Sequence, residues 1–122
     1  MEKICLDGGV TVDFLKGENN IVEKLKYYAD EEICITSFTL FELLCSIKKI
    51  DVIKHFVNNI TVLSFNENCG IIASRIYDGL REKGIPSNTK SVITAATCID
   101  SGAFLFTNNR KDYEQIRGLK LV

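Results

Sequence analysis

The stretch ICLDGGVTVDFL, residues 4–15, passes from a short apolar run to one acid and two glycines, and then becomes apolar again. Residues 3–6, KICL, have the length and the apolar character of a buried strand in a parallel sheet. The two glycines after Asp7 allow the backbone to turn sharply, so we expect a helix to begin here. A strand that leads directly into a helix is the unit from which α/β folds are built.

The same alternation of strand-like and helix-like segments continues along the chain. Further strand candidates are the short apolar runs at 32–36, 60–65, 103–107 and 119–122. Segments with apolar residues at helical spacing lie between them, at 19–31, 39–50, 66–84 and 91–102. This order predicts a three-layer α/β/α sandwich with a mainly parallel central sheet of four to five strands. Because the chain has no linker or repeat and is too short for two comfortable cores, we expect a single domain over residues 1–122.

Composition excludes several classes of function. The chain has 15 basic and 16 acidic residues, so any contact with nucleic acid would have to come from a local patch rather than from net charge. Its five cysteines are scattered and show no CxxC spacing, which is typical of a reducing compartment rather than of a metal-binding thiol site. No signal pattern and no run of about 20 apolar residues is present. We therefore expect a cytoplasmic protein that does not associate with a membrane.

Carboxylates follow three of the predicted strands. Asp7 comes directly after the first strand, Glu42 soon after the second, and Asp112 after the fourth, across TNNRKD. The carboxyl ends of parallel strands meet at one edge of a sheet, so these acids could lie together. Like charges about 4 Å apart in a partly buried site repel by roughly 4 kcal/mol, so such a cluster needs a divalent cation or raised pKa values. Asp13 lies beyond the strand end, and we expect it on a helix surface or paired with a loop.

Each of these acids also has a purely structural interpretation. Thr39 and Glu42 have the spacing of a capping box at a helix that begins near Thr39. Asn109 and Asp112 have the spacing of an N-cap and an acid in the first helical turn. Asp7 is harder to explain in this way, because a carboxylate that ends a buried strand needs hydrogen-bond donors or an ion.

Three segments together resemble the PIN-domain family, and especially its single-domain VapC-like toxins. They are CLDGGVTVDFLKGE at 5–18, ITSFTLFELLCSI at 35–47, and the C-terminal third from GIPSNT to GLKLV at 84–122. None of the three is specific alone, but their order and spacing are. The resemblance implies a ribonuclease whose acidic cluster binds Mg²⁺ or Mn²⁺ and directs a water onto an RNA phosphodiester. It also implies a small antitoxin protein as partner, with a peptide that covers the acidic groove, and a homodimer.

The sequence departs from the family pattern at several site positions. Members usually carry an acid at the start of the helix that contains an Ile-Ala-Ala-like triplet, and here Ser91 stands in that position. Gly8 replaces the usual hydroxyl residue, and Asn108 and Asn109 stand where many relatives have an acid. Only Asp112 is then left to supply a carboxylate after the fourth strand.

The resemblance therefore implies a reduced metal site. Asp7 is expected as the principal ligand, Glu42 as a second ligand directly or through water, and Asp112 or Asn109 as a third or outer-shell ligand. Ser91 could orient a water but supplies no charge. Mg²⁺ is often held by only one or two carboxylates, so a one-metal nuclease remains the leading hypothesis.

Basic side chains near the same edge are candidates for binding substrate phosphates. The strongest are Lys90, Arg110 and Lys16, and further candidates are Arg81, Lys83 and Lys111. The main alternative is a catalytically weakened or inactive PIN-fold module that binds RNA or a protein partner. Two other classes do not fit: a haloacid-dehalogenase phosphatase needs an acid where Gly9 stands, and a receiver domain needs an aspartate after the third strand.

Overall fold

A parallel five-stranded sheet forms the centre of the molecule, and the computed structural model describes all residues from 1 to 122. Its strands are β1 (Lys3–Leu6), β2 (Glu32–Thr36), β3 (Thr61–Leu63), β4 (Phe104–Phe106) and β5 (Lys120–Leu121). They pair in the order β3-β2-β1-β4-β5, and every neighbouring pair is parallel. The predicted sheet is thereby confirmed, and β1 lies in its middle.

Six α-helices flank the sheet. They are α1 (Gly8–Leu15), α2 (Asn19–Lys26), α3 (Ser37–Ser46), α4 (Ile50–Asn58), α5 (Glu67–Glu82) and α6 (Thr89–Ser101), and a 3₁₀ turn follows at Arg110–Asp112. No helix is both long enough and apolar enough to cross a membrane.

The side chains of each strand point alternately to the two faces of the sheet, and this divides the core into two layers. On β1, Ile4 and Leu6 face the layer that contains α1 to α4, whereas Cys5 faces the layer of α5 and α6. On β4, Phe106 faces the layer of α1 to α4, and Leu105 faces the layer of α5 and α6. Because successive strand residues point to opposite faces, a continuously apolar strand serves both layers at once. The three-layer α/β/α sandwich is confirmed.

The segment 39–50, which we expected to form one helix, forms parts of two. Helix α3 ends at Ser46, because Ile47 adopts an extended backbone with φ −106° and ψ 119°. Helix α4 then begins at Ile50 and buries Ile53 and Phe56, whose helical spacing the sequence interpretation overlooked. The break lets α3 and α4 each pack an apolar face on the same side of the sheet.

The start of α3 corrects the predicted capping box. Thr36, at the end of β2, is the N-cap, and its hydroxyl oxygen accepts a hydrogen bond from the Thr39 backbone N–H at 3.0 Å. Thr39 itself lies buried inside α3. The capping box of Thr39 with Glu42 was therefore wrong, since Glu42 lies in the middle of α3 and caps nothing. Its carboxylate remains available for another role.

Candidate active site

A cleft of about 420 Å³ opens at the carboxyl edge of the sheet, beside the ends of β1 and β4. Asp7 lies in it at the end of β1, Glu42 enters from α3 and Lys90 from the first turn of α6. Asn108 and Asn109 line it from the loop after β4. The arrangement matches the expectation that side chains at the strand ends converge on one edge.

The Asp7 carboxylate is buried and held in a fixed orientation. Only 4% of the residue is exposed, and Oδ1 accepts the Val10 backbone N–H at 2.9 Å, so Asp7 is the N-cap of α1. Oδ2 accepts a hydrogen bond from the Thr107 hydroxyl. Burial raises the pKa of Asp7, and the donors at Thr107 and Val10 together with the nearby charge of Lys90 partly oppose that rise. Each oxygen has a second lone pair left for a further ligand.

Thr107 is a site residue to which the sequence interpretation assigned no role. Its hydroxyl donates to Asp7 and also accepts the Asn109 backbone N–H at 2.9 Å. One side chain therefore orients the buried carboxylate and fixes the loop that carries Asn109. The signal was a hydroxyl residue placed directly after a buried strand, at the start of TNN.

Glu42 reaches the cleft because Gly8 has no side chain. A Cβ at position 8 would lie 2.8 Å from Glu42 Oε1, closer than real Cβ atoms approach other atoms. The sequence interpretation gave the glycine only a turning role, and its main effect is to admit this carboxylate beside Asp7. Asp13 also lines the cleft from α1, whereas we expected it on a helix surface or paired with a loop and gave it no role in the site. Its position four residues after Gly9 placed both on one helix face, which was the available signal.

Lys90 neutralises Glu42. Its ammonium group forms an ion pair with Glu42 Oε2, and the two side chains are 54% and 23% exposed, respectively. Asn88 caps α6 by accepting the backbone N–H groups of Lys90 and Ser91, at 3.0 and 3.4 Å. The cap fixes the first turn of α6 so that Lys90 extends into the cleft. The cleft thus contains a protein cation next to the position where the family has its third acid.

Asp112 and Ser91 lie elsewhere. Both line a separate cavity of about 80 Å³ together with Lys111, and neither lines the cleft. Ser91 is buried. Tyr113 is buried as well, and its burial raises the pKa of its hydroxyl to about 12, with the charge of Asp7 adding to the rise. Asn109 occupies the N-cap position before the 3₁₀ turn, but its side chain makes no capping hydrogen bond. The structure therefore brings Asp7 and Glu42 together and does not bring Asp112 to them.

The predicted phosphate-binding side chains also separate. Lys90 lines the cleft, whereas Arg110 lines a neighbouring cavity that shares Asn108 with it. Lys16 lies exposed at the end of α1, Lys83 lines a cavity at the far end of α5, and Arg81 lies on α5 over the Tyr77 ring. Of the predicted cations, Lys90 and Arg110 are the ones placed to meet a substrate in or beside the cleft.

The cleft fits one hard divalent cation. Asp7, Glu42 and Asp13 are the carboxylates that line the cleft, but no group of three or more acidic, histidine or cysteine side chains is arranged to hold a metal. Carboxylate and amide oxygens are the ligands that Mg²⁺ and Mn²⁺ prefer, and Asn108 and Asn109 supply amide oxygens beside these acids. A buried carboxylate gains from a nearby cation that compensates its charge, so Asp7 is a chemically suitable ligand for such an ion.

Comparisons with known proteins place the chain in context. The sequence pattern described as the PIN domain matches residues 4–119. The tRNA(fMet)-specific endonuclease VapC of Salmonella typhimurium is 24% identical in an alignment of 128 positions, which covers 99% of this chain and 97% of that protein.

Two solved structures share the fold. The DNA-bound VapBC from Salmonella typhimurium superposes with a TM-score of 0.87 at 25% identity, covering 100% of this chain and 98% of that one. VapBC2 from Rickettsia felis, bound to a DNA fragment from its promoter, superposes with a TM-score of 0.85 at 22% identity, covering 98% and 97%.

Proposed function

Because this chain belongs to the PIN-domain family, we propose that it is a metal-dependent endoribonuclease of the VapC type that cleaves RNA phosphodiester bonds. The observation that carries the proposal is the pairing of Asp7 and Glu42 in one cleft, with Lys90 beside them. The full-length similarity to an endonuclease that acts on tRNA supports RNA as the substrate.

One Mg²⁺ or Mn²⁺ ion would be held by Asp7, with Glu42 as a second ligand directly or through water, and with Asn109 in the outer shell. When bound, the ion supplies Lewis acidity and positive charge beside the scissile phosphate. Two ions about 4 Å apart would need further anions to bridge them. Ser91 is neutral, Asp112 lines another cavity, and Asp13 does not form a three-carboxylate group with Asp7 and Glu42, so one ion is the number we propose.

The chain's own residues position the reaction. Thr107 and the Val10 N–H hold the Asp7 carboxylate in place, so that no reorganisation is needed when the substrate arrives. Glu42 is paired with Lys90 in this structure and would help to hold the ion if its carboxylate gave up that pair. Lys90 would then be available to bind a non-bridging oxygen of the phosphate, where its charge would oppose the negative charge that develops during hydrolysis.

The experiment is cleavage of a structured RNA by the purified protein with Mn²⁺ or Mg²⁺, beside Asp7→Asn prepared identically. We expect metal-dependent cutting that falls by at least about 100-fold in the variant, the size of effect seen when a group that stabilises transition-state charge is removed. Asp112→Asn is the matched control and should keep most of the activity, because Asp112 lines another cavity. Equal cutting by wild type and Asp7→Asn would mark a contaminant and would remove the enzyme hypothesis.

A second function is favoured by the Lys90–Glu42 ion pair. With Glu42 neutralised and Ser91 in place of an acid, the protein could serve as an inactive PIN-fold module that binds RNA or a protein partner. RNA binding without cleavage in either metal would support this alternative. The similarity to VapC-like toxins also leads us to propose a small antitoxin protein as a partner of this chain, since the solved relatives are VapBC structures.

A further inference from the structure

A second cavity, of about 600 Å³, adjoins the acidic cleft. The two share Asn108 as a common wall, and the second is also lined by Thr107, whose hydroxyl contacts Asp7. A chain molecule with a phosphate in the cleft could therefore pass directly into this cavity. Nothing in the metal-site chemistry uses it.

Three aromatic rings lead from the core to the mouth of this cavity. Phe106 is buried at the end of β4, and the Tyr28 ring meets it edge to face at 5.9 Å between ring centroids. Tyr27 meets Tyr28 in the same way at 5.3 Å and is 85% exposed. The two inner rings thus support an outer ring whose surface is open to a ligand. An aromatic ring held at a cavity mouth with so much free surface is suited to stacking with another flat ring.

The charges around these rings favour a phosphate-containing ligand. Lys24 and Arg110 line the cavity, and neither forms an ion pair with an Asp or Glu side chain. One acid, Glu23, also lines the cavity, and its charge is paired with Lys26 at 3.0 Å. The Arg110 guanidinium donates to the Val122 carbonyl oxygen at 3.1 Å, which holds it at the cavity.

We propose that this cavity binds an unpaired nucleotide of the RNA strand, next to the nucleotide whose phosphate enters the acidic cleft. Its base stacks on Tyr27, and its phosphate meets Lys24 and Arg110. An aromatic platform combined with a cationic wall is the usual means of holding single-stranded nucleic acid, and it accepts any base, because every base has a stacking face. This proposal rests on the proposed ribonuclease function and names where the substrate continues beyond the cleft.

The test is direct binding of a fluorescein-labelled single-stranded oligoribonucleotide of about eight nucleotides, a typical site size for such proteins. Fluorescence anisotropy in EDTA keeps the RNA intact. Tyr27→Ala should weaken binding by roughly fivefold or more, whereas Tyr27→Phe should bind like the wild type, because stacking needs the ring and not the hydroxyl. Lys24→Gln and Arg110→Gln should each reduce the slope of log affinity against log salt concentration by about 1, which corresponds to the loss of one phosphate contact.

Tyr77→Ala is the matched control. Tyr77 lies on α5, is 43% exposed and also has an arginine beside it, Arg81, at 5.5 Å from the ring centroid, but it does not line the cavity. This variant should bind RNA like the wild type. The melting temperatures of both alanine variants should stay close to that of the wild type, because neither ring is buried.

Three results would overturn the proposal, and they have different consequences for the enzyme. If the wild type binds RNA and Tyr27→Ala binds it equally well, the nucleotide site is absent but the ribonuclease function stands. If the wild type binds no RNA, the nucleotide site is absent, and the cleavage assay with Mn²⁺ or Mg²⁺ decides separately whether the ribonuclease function stands. Unchanged RNA affinity in Tyr27→Ala, together with loss of a co-expressed protein partner, would make the cavity a protein-binding surface and would also overturn the proposal.

Discussion

At the scale of the single residue, Asp7 and Thr107 act together, because the Thr107 hydroxyl donates a hydrogen bond to the Asp7 carboxylate. A carboxylate at the end of a buried strand is costly unless donors or an ion stabilise its charge, and here two donors are built into the fold. The sequence indicated Asp7 because a carboxylate directly after an apolar strand needs hydrogen-bond donors or an ion. It gave no role to Thr107, since a hydroxyl residue after a strand is common and its partner lies far away in the chain.

Thr107→Val should weaken metal binding, because it removes the hydroxyl that orients the Asp7 carboxylate. Loss of a partner that orients a metal ligand typically lowers metal affinity by about 10- to 100-fold. We expect a loss in that range for Mn²⁺, measured by titration calorimetry. Stability should fall by about 1–3 kcal/mol, because a buried acceptor loses its donor.

Thr97→Val separates these two effects. Thr97 is buried, and its hydroxyl donates to the Ile93 carbonyl oxygen at 2.8 Å within α6, away from the cleft. This variant should change stability only and leave Mn²⁺ affinity intact. Equal Mn²⁺ affinity in Thr107→Val and Thr97→Val would show that Thr107 does not support the site.

Lys90→Met should have opposite effects on metal and RNA. Without the ammonium, Glu42 has no competing cation, so Mn²⁺ affinity should rise by about fivefold, equivalent to ~1 kcal/mol for a partly exposed pair. RNA affinity should fall, because a phosphate contact is lost. Calorimetry and fluorescence anisotropy measure the two effects, and Lys54→Met, at an exposed position on α4, is the control. A fall in Mn²⁺ affinity would contradict this role of Lys90.

At the scale of the element, the close approach of α1 to α3 determines where Glu42 lies. Helix α1 begins directly after β1, and its first residue, Gly8, faces the Glu42 carboxylate. Helix α1 has no side chain at this contact, which leaves room for the Glu42 carboxylate of α3. The sequence predicted both elements but not this contact, because the packing of one helix on another depends on the register that each adopts against the sheet.

Gly8→Ala should separate activity from stability. The new Cβ would lie 2.8 Å from Glu42 Oε1, the end of a flexible side chain, so the carboxylate moves and the helix persists. We expect stability to change by less than about 1 kcal/mol, since glycine is the poorer helix former, while RNA cleavage and Mn²⁺ affinity fall. Gly9→Ala is the matched control, because its Cβ would lie 3.8 Å from Asp7 Oδ1, an ordinary contact. Equal activity in both variants would refute the steric explanation.

Helices α5 and α6 are joined by a small polar cluster. Asn68 and Asn66, at the start of α5, donate to the two Asp100 carboxylate oxygens at 2.6 and 3.1 Å. These hydrogen bonds lower the pKa of Asp100 from its ordinary value of 3.8. Because the pKa is lowered in the folded state, the stabilisation is complete above 3.8 and is lost as the pH falls through the lowered value.

Asp100→Asn should therefore destabilise the protein at neutral pH, and the difference should disappear in acid. Thermal unfolding of both proteins from pH 7 to pH 2 measures this, with the two melting temperatures converging below the ordinary pKa of 3.8. Asp78→Asn, on the exposed face of α5, is the control and should show a smaller difference. A difference in melting temperature that stays constant at every pH would mean that the Asp100 charge does not cause the stabilisation.

At the scale of the whole molecule, several large apolar side chains remain uncovered on neighbouring helices. Phe41 and Leu44 on α3 are 59% and 49% exposed, and Ile50 and Val52 on α4 are 54% and 41% exposed. A set of exposed apolar side chains on consecutive helices is a candidate interface. We expect it to join two copies of the chain in the homodimer that the family resemblance implies.

Ile50→Asp should therefore shift the protein from dimer to monomer. Light scattering after size exclusion should give about twice the chain mass of 13.7 kDa for the wild type and a single chain mass for the variant. Ile71→Asp, at an exposed apolar position on α5, should remain dimeric. A monomeric wild type would contradict the homodimer, and a dimeric Ile50→Asp would move the interface elsewhere.

The sequence alone determined the parallel sheet, its flanking helices and the place of Asp7. Each of these follows from local patterns, since apolar periodicity selects the element and the order of elements selects the sheet. Only the tertiary structure decided which charged side chains meet. Glu42 pairs with Lys90 and Asp112 stays outside the cleft, because α3, α6 and the turn after β4 each reach the sheet edge at a rotation set by core packing. A shift of one residue in that packing would turn these side chains away, and no local pattern in the sequence records it.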